Sequence, residues 1–350
     1  MELGMPLYVV WETTLDCNAK CVHCYSDAVF GKGKEYWPLA EAIDLIDQIA
    51  DAGVIILALS GGEVLMRRDW EKLVAHGVMR GLRMTMATNG RKVTSRTAAR
   101  LAALGIWNVS VSIDGASPAM HDAIRGIPGL FSAACRAVRH LVEAGIRVTV
   151  NYTPMKPNLA DAEAMIELAW RLGAAKINMT EYVYTSRGGV DLMPSATELG
   201  CLLDRWQTAA NAWQDRIVVD WHDCRVGLML KGEEAARYRG CGAGYTHCRI
   251  TVDGDVTPCV VLPTVAGNLR ESRFADIWHK SPILERIRSR DSIVEGNCAD
   301  CEHKARCGGC RAVSQACFGH PFGGDPSCWI KPQNWNPAYA RPDITLHMDR

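Results

Sequence analysis

Cys17-Asn18-Ala19-Lys20-Cys21-Val22-His23-Cys24-Tyr25 is the stretch on which the reading of this chain turns. Its cysteines are spaced C-x3-C-x2-C. A structural zinc is closed by four ligands. Three thiolates on a short loop suit a [4Fe–4S] cluster, in which each corner iron takes one external ligand and the fourth iron is left open. That open iron can bind a substrate or cofactor. A zinc site or a redox C-x2-C pair is the competing reading of the same spacing. Just before the loop, Leu7-Tyr8-Val9-Val10-Trp11-Glu12-Thr13-Thr14 is rich in β-branched and aromatic residues and reads as a strand. The loop therefore follows the end of a first strand.

Outward from that loop, strands and helices alternate. Ile43, Ile46, Ile49 and Ala50 recur at helical spacing over residues 38–50, Pro38 suits a first helical position, and Gly53 ends the helix. Residues 54–59 form a continuous apolar run, as buried parallel strands do, and lead into Ser60-Gly61-Gly62-Glu63. Helices are expected over 69–79, 95–104, 130–144 and 161–172. Strands are expected over 83–88, 108–113, 147–152 and 176–181. Six strands across residues 7–181 imply a parallel sheet with right-handed crossovers. A barrel and a doubly wound sheet share this periodicity. In either fold, chemistry belongs at the carboxyl ends of the strands, where Glu63, Asn89, Asp114, Tyr152 and Glu181 fall.

The 350 residues allow one large domain and a smaller one. Formal net charge is zero and no basic stripe stands out, so nucleic acid is not an expected partner. The first residues have neither a charged n-region nor an apolar h-region, so no signal peptide is expected. No apolar run approaches the roughly 18 residues that span a bilayer. Fifteen cysteines in a chain of this length point to metal binding in a reducing cytoplasm rather than to disulfides. Residues 195–236 read as a helical connector, with Trp206, Trp213 and Trp221 as packing residues. Cys135, Cys201 and Cys224 read as ordinary buried thiols. The tail, 331–350, has no helical stripe and reads as a loop.

The cysteine loop after the first strand, followed by Gly61-Gly62-Glu63, resembles the radical S-adenosylmethionine (SAM) enzymes. The resemblance implies an α/β fold, a partial (β/α)6 TIM-type barrel over residues 1–194. It implies that Cys17, Cys21 and Cys24 hold the first cluster and that Glu63 holds the SAM amine, with Gly61 and Gly62 letting the backbone approach the ligand. Ser110-Val111-Ser112-Ile113-Asp114-Gly115 resembles the family's S-x-D-G strand end near the ribose, which brings in Ser112 and Asp114. His121-Asp122-Ala123-Ile124-Arg125-Gly126 resembles its H-D-x-x-R-G segment, whose Arg125 would meet the SAM carboxylate. Tyr25 would face the adenine, and Asn89 would join the same pocket.

From residue 237 to 330 the composition shifts to cysteine, glycine and short turns. Cys298, Cys301, Cys307 and Cys310 read C-x2-C-x5-C-x2-C, and Cys248 to Cys259 reads C-x5-G-x4-C through Gly254. This resembles the cysteine-rich SPASM domain, which carries two auxiliary [4Fe–4S] clusters. The resemblance implies a nearer cluster on Cys241, Cys248, Cys259 and Cys310 and a farther one on Cys298, Cys301, Cys307 and Cys328, three clusters in all. Eight thiolates would then close both auxiliary clusters. Cys317 lies close enough in sequence to replace one ligand, and a pair of zinc-ribbon-like sites is the alternative.

The family's chemistry is one-electron reduction of SAM to a 5′-deoxyadenosyl radical, which removes hydrogen from an unactivated carbon. A flavodoxin or ferredoxin-type donor is the implied electron partner. The first strand begins near residue 7, which leaves no room for an N-terminal peptide-recognition domain and favours a small-molecule substrate. The C-terminal segment from Gly267 to Cys328 is most similar to the branch that modifies carboxylated tetrapyrroles in heme synthesis, and is similar to the cytosylglucuronate decarboxylase of blasticidin biosynthesis. Decarboxylation is therefore the expected reaction. Tyr152, Lys156, Tyr184 and Arg187 on the last strand ends are candidates to bind the carboxylate, and Glu181 to hydrogen-bond it or donate a proton. A peptide maturase with a separate recognition protein and an iron–sulfur electron carrier are the rival readings.

Overall fold

The computed structural model describes residues 4–31, 36–184, 187–230, 232–233, 238 and 240–330. The expected tail over 331–350 lies outside the described residues. In chain order the elements are strand β1 (Tyr8–Thr14), helix α1 (Leu39–Asp51), β2 (Ile56–Gly61), α2 (Trp70–Met79), β3 (Arg83–Thr88), α3 (Ser95–Ala103), β4 (Asn108–Ser112), α4 (Pro118–Arg125), α5 (Leu130–Glu143), β5 (Val148–Tyr152), α6 (Ala162–Arg171), β6 (Lys176–Thr180), α7 (Ala196–Trp213), β7 (Val218–His222), β8 (His247–Ile250), β9 (Asp255–Thr257), β10 (Gly267–Asn268), α8 (Phe274–Lys280), α9 (Pro282–Arg288) and α10 (Arg311–Phe318).

The six expected strands are present and pair in parallel in the order β1-β2-β3-β4-β5-β6. Their apolar positions alternate. Val9, Trp11, Leu57, Leu59, Met84, Met86, Val109, Val111, Val150 and Ile177 face the helices and form one core with Leu45, Ile46, Leu73, Leu101, Val138 and Ile166. Local signals set the helix ends. Thr94 caps α3 through Thr97 N, Ser195 and Glu198 form a capping box on α7, and Gly126 closes α4 with φ +67°.

Three features depart from the sequence reading. A helix, α4, occupies Pro118–Arg125. The connector over 195–236 is not only helical: β7 pairs in parallel with β6 through Lys176↔Val218 to Thr180↔His222. The first strand of the cysteine-rich segment, β8, pairs in parallel with β1 through Tyr8↔His247. The eight parallel strands run β8-β1-β2-β3-β4-β5-β6-β7.

Those eight strands nearly close on themselves. The rings of His222 on β7 and His247 on β8 meet edge-on at 5.5 Å. Following the strand register across the sheet from His247 arrives at position 214, eight residues before His222. With no ladder between β7 and β8 among the described residues, the sheet stays open at that junction, as the expected partial TIM-type barrel does. Ladders join seven of the eight junctions, and the seam between β7 and β8 is bridged by side chains.

Candidate active site

The three-cysteine loop leaves β1 and is held from below by α4. Lys20 N donates to Arg125 O at 3.0 Å and Val22 N to Ile124 O at 3.0 Å. A Cβ at Gly126 would press into Lys20 O, so only glycine lets the helix end approach the loop this closely. A two-residue ladder between Asp16–Cys17 and Val29–Phe30 closes the loop. The sulfurs face N–H groups: Ala28 N lies 3.3 Å from Cys24 Sγ, and Arg125 Nη1 lies 3.6 Å from Cys21 Sγ. Hydrogen bonds of this kind tune an iron–sulfur cluster.

Asp114 anchors the arrangement. Its Oδ2 lies 2.6 Å from Arg125 Nη2 and 3.3 Å from His23 Nε2, and Thr153 N donates to its Oδ1 at 3.0 Å. The carboxylate is fully buried, and the Arg125 guanidinium beside it holds its pKa well below the usual range against that burial. Asp114 N donates to His121 Nδ1 at 3.0 Å. Burial, aided by Arg125, lowers His121 to about 4, so the ring is neutral. Arg125 spends Nη1 on the cluster loop and Nη2 on Asp114, while its buried Nε has no hydrogen-bond partner among the described residues.

Glu63, at the end of β2, is fully buried. Thr88 Oγ1 donates to Oε1 at 2.8 Å, Leu65 N to Oε1 at 3.3 Å, and Asn89 N to Oε2 at 2.9 Å. Burial raises its pKa while these bonds lower it. Asn89 also reaches Asn18 Oδ1 at 2.7 Å, and so links Glu63 to the cluster loop. Gly61 and Gly62 are needed for a different reason from the one expected. A Cβ at Gly61 would strike Thr14 O, and one at Gly62 would strike Asp16 O, so the close approach is to the chain's own loop. Gly62 N and Glu63 N donate to those same carbonyls at 2.7 Å. Tyr25 Oη meets Ser60 Oγ at 3.0 Å on the inner wall.

The inner wall is polar and hollow. Ser110, Ser112, Asn151, Asn178 and Thr180 are each half-buried, while their neighbours Val109, Val111, Val150, Ile177 and Met179 are almost wholly buried. A TIM-type barrel filled by branched apolar side chains has no such interior. Here hydroxyls and amides face a space.

Tyr152 does not face it. Its parity on β5 is that of Val148 and Val150, and its ring stacks on Trp206 of α7 at 6.2 Å. Its hydroxyl donates to Asn158 O at 2.6 Å. Tyr152 is a core residue, which corrects its expected part in binding substrate. Arg187 also lies elsewhere than expected: Nη2 donates to Ala28 O at 2.6 Å and lies 3.2 Å from Asp27 Oδ1, and its backbone N–H donates to Cys24 O. It braces the cluster loop. Tyr184 is half-buried against the cluster containing Tyr182, Val183 and Met193. Lys156 is exposed just beyond β5.

Glu181 belongs to a group that sequence reasoning missed. Fully buried Arg225 holds Glu181, Asp223 and Ser327 and lies 3.5 Å from Asp325. One guanidinium cannot neutralise three carboxylates. Burial, with Asp223 and Asp325 nearby, pushes Glu181 up to about 8 although Arg225 pulls the other way. The partners come from positions 181, 223, 225 and 325, and no local motif signals them.

Cys298, Cys301, Cys307 and Cys328 line one small cavity. They do not converge on a point. Among the described residues no three His, Cys, Asp or Glu side chains could share one metal ion. Four thiols lining one cavity are the donor set that a cubane takes, one at each corner. Cys241, Cys259 and Cys310 gather in the apolar cluster around Leu262 and Val313. Cys248 instead lies in the main core. Cys224 is buried as expected and hydrogen-bonds Cys307, whereas Cys201 is exposed rather than buried.

The radical SAM superfamily model matches residues 11–169, and the SPASM model, an iron–sulfur cluster-binding domain, matches residues 241–302. The AdoMet-dependent heme synthase of Nitratidesulfovibrio vulgaris is 33% identical over 97% of this chain and 96% of that protein. Mycofactocin maturase MftC of Mycobacterium tuberculosis is 32% identical over 93% of this chain and 83% of that protein. Streptococcus suis SuiB bound to precursor peptide SuiA superposes with a TM-score of 0.77 over 94% of this chain and 77% of that one, at 18% identity, which speaks for the fold alone. The chain belongs to the radical SAM superfamily and carries a SPASM domain. It is an iron–sulfur enzyme that uses SAM, and the relatives agree with the resemblance to the heme-biosynthesis branch.

Proposed function

We propose that this enzyme decarboxylates a carboxylated small molecule, a tetrapyrrole propionate being the first choice and a nucleoside-sugar acid the second. The observation that carries the reading is the whole-length relationship to heme synthases. The hollow, amide- and hydroxyl-lined barrel supports it, since a large polar substrate needs such a space. Three clusters are part of the proposal: one on Cys17, Cys21 and Cys24, and two in the cysteine-rich domain. When bound, the first cluster and SAM supply a 5′-deoxyadenosyl radical for hydrogen abstraction.

The chain's own residues position and shield. Glu63 accepts from the SAM amine at the end of β2, with Ser112 and Tyr25 on the wall beside it. Lys156 is the candidate cation for the substrate carboxylate, being exposed at a strand mouth with no ion pair among the described residues. Glu181, held largely protonated near neutral pH, can give a proton or a hydrogen bond from the mouth of β6. A flavodoxin or ferredoxin-type donor in the cytoplasm completes the proposal. No described helix is long and apolar enough to cross a membrane.

The test is turnover of a propionate-bearing tetrapyrrole deuterated beside its carboxylate, with SAM and a one-electron reductant under anaerobic conditions. Carbon dioxide should be released and deuterium should enter 5′-deoxyadenosine. The relationship to the mycofactocin maturase supports a second reading, a peptide maturase. A mass change on a peptide, with the tetrapyrrole untouched, would select it.

A further inference from the structure

The buried group around Arg225 reaches further than the barrel mouth. Asp325 stands at its far side, 2% exposed. Residues 325–328 read Asp-Pro-Ser-Cys, and Pro326 has no N–H to give. Ser327 N turns back onto Asp325 Oδ1 at 2.9 Å, and Ser327 Oγ donates to the same oxygen at 2.6 Å. Asp325 Oδ2 accepts the Cys310 N–H at 2.8 Å, at the start of α10. All of these groups donate, which is how an ionised carboxylate is surrounded.

The backbone of Asp325 serves the other side. Its N–H lies 3.3 Å from Cys298 Sγ. Gly309, in the turn Cys307-Gly308-Gly309-Cys310, packs on both residues: a Cβ there would press on Asp325 Cβ and Cys298 Sγ. Asp325 also lines the small cavity with Cys298, Cys301, Cys307 and Cys328. One residue thus meets an expected ligand of the nearer cluster through its carboxylate and an expected ligand of the farther cluster through its amide.

Arg225 does not cancel the charge of Asp325. Its Nε and Nη2 go to Asp223, and Nη2 also goes to Glu181. Nη1 donates to Ser327 Oγ at 2.6 Å and stands 3.5 Å from Asp325 Oδ2. Buried charges are screened much less than exposed ones. Net charge and hydrogen bonds at the sulfurs set the potential of an iron–sulfur cluster.

We infer that Asp325 is a positioning residue shared by the two auxiliary clusters, and that its negative charge lowers the reduction potential of both. It acts through Cys310 and Cys298 rather than on a reacting atom. The inference rests on the two clusters proposed for the cysteine-rich domain and is independent of the reaction they serve.

The experiment uses the full chain with Cys17, Cys21 and Cys24 replaced by Ala, so that the SAM-binding cluster does not contribute. This parent is reconstituted anaerobically and titrated against potential by electron paramagnetic resonance. Asp325→Asn keeps the volume and the N–H to Cys298 but removes the charge. Both midpoint potentials should rise. At a fixed poise the ratio of reduced to oxidised cluster should grow roughly tenfold at each site, about 59 mV for a one-electron couple. Iron should stay at about eight per chain. Two signals of which Asp325→Asn moves only one, or neither, overturn the shared role and leave the two clusters standing. A parent with a single auxiliary signal overturns the two-cluster reading, and the shared role with it. Should Asp325→Asn lose its iron, the parent decides. With both clusters reduced, their spins should broaden each other's signals, since one residue holds both, and two unbroadened signals overturn the inference.

Discussion

The Arg125 guanidinium lies 2.6 Å from the Asp114 carboxylate, and the buried pair supports the loop that carries Cys17, Cys21 and Cys24. The same guanidinium touches Cys21 Sγ, and the helix that ends in Arg125 accepts two amides of the loop. The pair joins the ends of β4 and α4 to the cluster site.

Arg125→Ala leaves Asp114 buried without its main counter-charge, a change that typically destabilises by 3–5 kcal/mol. The expected outcome is loss of about four irons per chain, with SAM binding lost alongside. Iron analysis and electron paramagnetic resonance measure it. Full iron with SAM affinity alone reduced would place Arg125 on the SAM carboxylate.

Glu63→Gln should act on SAM and not on iron. Gln preserves the volume and one carbonyl for Thr88 and Leu65, but removes the charge. A charge-assisted hydrogen bond is worth about 1.5–3 kcal/mol, so SAM should bind roughly 10- to 150-fold more weakly. Equilibrium dialysis with labelled SAM checks this, and unchanged affinity would place the amine elsewhere.

Tyr152→Phe should lower stability by about 1 kcal/mol, through the lost hydrogen bond to Asn158 O, and leave SAM cleavage within twofold. A large fall in turnover at unchanged stability would put the hydroxyl back in the reaction.

His121 gives the fold a sensitivity to acid. Burial holds its ring at about 4 in the folded chain against an ordinary 6.5. Between those values the unfolded chain binds the proton and the folded chain does not, so this contribution is full above pH 6.5 and is lost as pH falls towards 4. It amounts to on the order of 3 kcal/mol. His121→Asn keeps an acceptor for Asp114 N and cannot titrate. Its melting temperature should fall less between pH 7.5 and 5 than that of the parent. Parallel falls would show that other groups set the acid limit.

Much of the barrel was legible because its signals are local. Apolar runs and alternation gave the six strands to within two residues at each end, and Gly61-Gly62-Glu63 stood out as a strand-end motif. For Tyr152 the local signal is present: period-two parity puts it with Val148 and Val150, facing away from the interior. Other features were not legible because their partners are far apart in sequence. The pairing of Tyr8 with His247 has no local trace, and neither does the gathering of Glu181, Asp223 and Asp325 on Arg225. Val218–His222 alternates in polarity, but five residues beside a long helix do not distinguish a strand from a connector.

Because β8 stands between β1 and the hairpin that leads to Cys259, the border between the two domains does not coincide with a physical cut. A shortened chain ending before residue 241 would leave the edge of β1 with unpaired backbone groups and would strip cover from Val9 and Trp11. An exposed edge beside apolar surface recruits other chains. Exchanging cysteine-rich domains between relatives therefore has to keep the Tyr8–His247 register, or the graft arrives with its first stave missing.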